Sequence, residues 1–110
     1  MPSPLRNTYR RGRLTFIAYK TQESTFIVAC EELCLLVEHK DLEFARLKLL
    51  AKTKSYLQNV IEGKLGEHLL NQSLPGEIKE EFYENVVRRQ PDFERWTSKI
   101  ETVLEDKCCA

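Results

Sequence analysis

The 110-residue sequence contains no apolar run approaching the ~20 residues that span a bilayer. That absence argues against a membrane partner. It also carries no net charge, because 17 Lys and Arg balance 17 Asp and Glu. The molecule as a whole therefore has no global attraction for nucleic acid or anionic lipid. The opening residues, MPSPLRNTYRRGR, lack the apolar core of a secretory signal, so a cytoplasmic location with reduced thiols is expected. Internal repeats and low-complexity segments are missing as well. So is any Ser, Cys or Asp spaced as a catalytic partner for His39 or His68, and the chain is read as a non-enzyme.

What is present suits one small domain. Hydrophobic residues make up 42% and charged residues 31%, enough to bury a core and too apolar for a chain disordered throughout. Charge is uneven along the chain: Arg6, Arg10, Arg11 and Arg13 crowd the start, while Glu77, Glu80, Glu81 and Glu84 lie together later. Arg10, Arg11 and Arg13, with Arg88 and Arg89, are the candidates for nucleic-acid contact, since clustered guanidinium groups can hold phosphates.

The pattern predicts an α+β fold. Residues 1–12 read as a flexible basic tail. RLTFIAYK then alternates, with Leu14, Phe16 and Ala18 on one side and Thr15, Ile17 and Tyr19 on the other. TFIVAC and LCLLVEH follow after short polar connections, giving a three-stranded antiparallel meander. Asp41 is a natural N-cap. Behind it Leu42, Ala45, Leu49, Thr53, Tyr56 and Val60 recur at helical spacing, predicting one long helix that covers the sheet and ends at Gly63.

These elements form a βββα domain over residues 13–63. Residues 64–106 then read as a C-terminal helical segment, with residues 107–110 as a tail. Within that segment residues 69–72 could be a loop or a strand, and Pro75 starts a helix bearing Ile78, Phe82 and Val86. A last helix would carry Phe93, Trp96, Ile100, Val103 and Leu104 on one stripe. Phe93, Trp96 and Ile100 on that stripe are the candidate homodimer interface, since so much apolar surface needs a partner.

Cys30 and Cys34 are spaced C-x-x-x-C, with no second pair facing them. They are expected to be reduced strand residues rather than metal ligands. Glu31, Glu32, Glu38, Asp41 and Glu43 fall at a turn, a strand end and a helix start. A metal-dependent nuclease would need acids converging from strand interiors. No metal and no cofactor are expected.

Residues 26–45, FIVACEELCLLVEHKDLEFA, resemble the signature of HicB-family antitoxins, roughly hVAxCPELxhxxxGxTxEEA, without a gap. Val28, Ala29 and Cys30 match the strand end, and Glu32 and Leu33 match the EL pair. Asp41 stands at the helix-capping Thr, and Glu43 and Ala45 fall on the acidic and Ala positions. Glu31 replaces the usual Pro, His39 the usual Gly, and Phe44 the second Glu. The resemblance covers about residues 13–62 and implies a βββα domain without catalytic carboxylates. It further implies a non-enzymatic regulator that neutralises a small RNA-cleaving toxin similar to HicA, with operator DNA as a further partner. The family's separate DNA-binding domain would correspond to residues 68–104, which resemble a ribbon-helix-helix order. An interaction module of HicB-like ancestry without a toxin partner is the alternative.

Overall fold

A computed structural model describes residues 6–21, 23–87 and 93–105, residues 85–87 and 93 by their backbone alone. Strand β1 (Arg13–Lys20), β2 (Phe26–Cys30) and β3 (Leu35–His39) form the meander, followed by helix α1 (Leu42–Gly63). A 3₁₀ turn at Glu67–Leu70, helix α2 (Gly76–Val87), strand β4 (Phe93–Lys99) and short helix α3 (Ile100–Glu105) complete the order. The architecture is α+β, as the alternation predicts. The sheet runs β3-β2-β1-β4, with every neighbouring pair antiparallel.

Alternation along β1 sorts the core into two layers. Leu14, Phe16 and Ala18 join Val28, Cys30 and Val37 on one face. There they meet Ala45, Leu49, Leu57 and Val60 of α1 and Ile100 and Val103 of α3. Ile17 and Tyr19 join Ile27 and Ala29 on the other face, against Leu74 and the α2 residues Ile78 and Phe82. Helices thus cover both faces, and only β3 and β4 lie at sheet edges.

Helix α1 begins where Asp41 accepts hydrogen bonds from the backbone N–H groups of Glu43 (2.9 Å) and Phe44 (3.3 Å). It ends at Gly63, as expected, but the cap is the next residue: Lys64 takes the left-handed conformation, at φ +48°. His39 is not among the residues of positive φ. Its ring instead accepts from the Asp41 N–H at 2.9 Å, through Nδ1, so this strand-to-helix turn closes without a glycine.

Three expectations change, and one open alternative is settled. The final helix is a strand followed by a short helix, because residues 93–99 pair with the open edge of β1 from Arg13↔Lys99 to Tyr19↔Phe93. Residues 69–72 do not form a strand. The 3₁₀ turn occupies Glu67–Leu70 and buries Leu70, so the ribbon-helix-helix order is not present. Cys34 lies in the turn before β3, at φ +53°, with its N–H donating to the Glu31 carbonyl (3.2 Å), rather than in a strand. Residues 6–12 are docked on the fold: Asn7 is only 5% exposed and bonds to Asn71, Leu70 and Arg13.

Candidate binding surface

The motif residues at the β2–β3 turn hold the sheet together. The Glu32 carboxylate accepts from the Thr15 N–H (2.6 Å) and hydroxyl (2.8 Å), while the Glu32 carbonyl accepts from the Gln72 N–H (2.7 Å). Leu33 is buried in the α1 layer. The EL pair is therefore a structural clamp and plug between β1, the turn and the segment after α1. Three of the other acids are engaged as well. Glu31 lies 3.7 Å from Arg95, Glu38 accepts from the Thr25 hydroxyl, and Asp41 caps α1. Among the described residues, no group of three or more His, Cys, Asp or Glu is placed to hold a metal ion.

The two described cysteines sit in opposite environments. Cys30 is fully buried, and loss of solvation pushes its thiol up from 9.0 to about 12. Cys34 is exposed. A raised folded-state value means the Cys30 contribution to stability is complete below pH 9 and is lost as pH climbs toward 12. With Cys108 and Cys109 replaced by serine, a thiol reagent at pH 8 is expected to label Cys34 quickly and Cys30 only on unfolding. Mass spectrometry of timed aliquots checks this, and comparable labelling rates would contradict it.

Three surfaces stand out among the described residues. One is a hollow of about 290 Å³ beside β4, floored by Phe16 and Trp96 and walled by Leu49, Leu50 and Val103. Arg46 lines it too, ion-paired with Glu94, with its guanidinium 5.2 Å from the Trp96 ring centre. Its Nε is buried without a hydrogen-bond partner among the described residues. A second is the outer side of α1, where Phe44 (50% exposed) and Leu47 (57%) stand out. Phe44 contacts the His39 ring at 4.4 Å and lies 5.9 Å from Lys48 Nζ. The third carries Arg10, Arg11 and Arg13, all exposed at the start of β1.

The nucleic-acid candidates are therefore only partly placed together. Arg10, Arg11 and Arg13 are neighbours, while Arg88 and Arg89 lie outside the described residues. The candidate dimer residues divide differently. Trp96 stacks on Phe16 within its own chain, with ring centres 5.5 Å apart. Ile100 is 1% exposed in the α1 layer, its N–H donating to the Gly12 carbonyl, and so cannot present itself to a partner as a helix-stripe residue. Phe93 is the first residue of β4, opposite Tyr19. Sequence reasoning passed over Arg46 because it falls off the buried stripe of α1. No signal in the sequence links it to Trp96, which only the fold brings beside it.

Among the described residues no helix is long and apolar enough to cross a membrane. Comparison with known proteins finds no family model, no curated protein and no solved structure that matches the chain.

Proposed function

We propose that this chain is a non-enzymatic, antitoxin-like regulator that binds and neutralises a small RNA-cleaving toxin. One observation carries the reading. The segment that resembles the HicB signature forms the strand–turn–strand–capped-helix unit that the resemblance implies, with Cys30 buried, Glu32 clamping Thr15 and Asp41 capping α1. Both sheet faces are occupied by helices, so partner binding is assigned to the open surfaces, foremost the outer side of α1 with Phe44 and Leu47. Operator DNA is a further partner in this reading, supported by the exposed Arg10, Arg11 and Arg13.

Co-expression tests it. The product of a short reading frame adjoining the gene should arrest growth alone, and this chain should restore growth and co-purify with that product. Phe44→Glu with Leu47→Glu should weaken co-purification while the fold persists, because both side chains are exposed. Growth arrest that this chain does not relieve would favour the interaction module without a toxin partner.

A further inference from the structure

Strand β4 is seven residues long and has no strand neighbour on its outer side among the described residues. Such an edge offers unpaired N–H and C=O groups to another strand. Beside it lies the hollow over Phe16 and Trp96, where Arg46 Nε has no hydrogen-bond partner among the described residues. An open edge next to an unfilled apolar hollow is a place where a strand could add.

We infer that the occupant is a second copy of this chain, with two β4 edges pairing antiparallel about a two-fold axis at Trp96 to make one continuous sheet. The register argues for it. A two-fold axis normal to the sheet keeps each residue on its own face, so the axis must pass through a residue position. Phe93–Lys99 has Trp96 as its midpoint, so an axis there pairs the whole strand. It sets Glu94 opposite Ser98 and Arg95 opposite Thr97, with position 93 opposite 99, and no like charges meet. Moving the axis to position 95 sets Arg95 against Arg95, and moving it to 97 sets Arg95 against Lys99. Full overlap and charge compatibility select the same register.

In that register the two Trp96 residues face each other on the α1 side. The Phe16–Trp96 stack within each chain then extends into a four-ring ladder across the junction. This inference does not depend on the antitoxin reading, because it rests on the edge, the hollow and the β4 sequence alone.

Thr97 gives a test with two signs. It is exposed and, in the dimer, directly opposite Arg95 of the other copy. Thr97→Glu creates opposite-charge pairs twice per dimer, and Thr97→Arg creates like-charge pairs twice. Cross-strand charge pairs of this kind shift the dimer dissociation constant by roughly threefold to tenfold. Sedimentation velocity across a concentration series should show a wild-type dimer, tighter for Thr97→Glu and looser for Thr97→Arg, with unchanged circular dichroism. A wild type that stays monomeric at high micromolar concentration overturns the inference. So does a dimer whose dissociation constant moves the same way, or not at all, in both variants.

Discussion

Tyr19→Ala is expected to cost about 3–5 kcal/mol, the range for truncating a buried aromatic side chain, and to free α2 from the sheet. Tyr19 is completely buried on the face opposite α1. Its ring meets Phe82 of α2 edge-on at 6.1 Å, and its hydroxyl donates to Glu81 Oε1 at 2.5 Å. One side chain thus supplies both apolar and polar contact between β1 and α2. Burial, with the Glu81 carboxylate beside it, pushes the phenol well above the ordinary tyrosine range. The raised value means its contribution is complete below pH 10 and fades as pH rises beyond that. Tyr19→Phe keeps the ring and should cost only about 1–2 kcal/mol for the lost charge-assisted hydrogen bond. Urea denaturation of both variants separates the two parts. Equal losses would mean that ring burial contributes little and that α2 is held by other contacts.

Asn7→Ala carries the second large effect, expected at about 2–4 kcal/mol because two backbone groups lose their partners. Asn7 Oδ1 accepts from the Arg13 N–H at 2.7 Å, and Nδ2 donates to the Leu70 carbonyl at 2.8 Å. Its backbone exchanges two further bonds with the Asn71 side chain, at 2.8 and 3.0 Å. Gly12 makes room for this: a Cβ there would overlap Asn7 Oδ1 and come within 2.8 Å of Ile100 Cδ1. Asn7→Asp keeps the acceptor for Arg13 but sets a carboxylate against the Leu70 carbonyl, so it should be nearly as damaging. Both variants should also speed tryptic cleavage after Arg10 and Arg11, because release of the segment lets it enter a protease site as an extended chain. Wild-type stability in Asn7→Ala would show that this network is not what holds residues 6–12.

The elements read correctly from sequence are those whose pattern answers to local geometry. Alternation assigned the faces of β1, and the spacing of Ala45, Leu49, Thr53 and Val60 behind Asp41 gave α1. The errors fall where distant partners decide. Phe93, Trp96, Ile100 and Val103 recur at helical spacing. Yet a strand forms through residue 99, because pairing with β1 satisfies seven residues of open edge that a helix would leave unpaired. Asn7 sits in a polar, proline-containing stretch that looks like a tail, and only Asn71 and Leu70, more than 60 positions away, make it a buried tie. Of the candidate surface, Phe44 and Leu47 fall off the buried stripe of α1, but nothing in the sequence marks that face as a binding surface. The hollow exists only once β4 brings Trp96 beside Phe16 and Arg46.

An RNA-cleavage titration addresses the antitoxin-like account most directly. The purified product of the adjoining short reading frame is incubated with RNA and rising amounts of this chain. The account predicts that cleavage stops near equimolar chain and that the chain alone leaves RNA intact. Cleavage that persists in an excess of chain, or RNA cut by the chain itself, would contradict it.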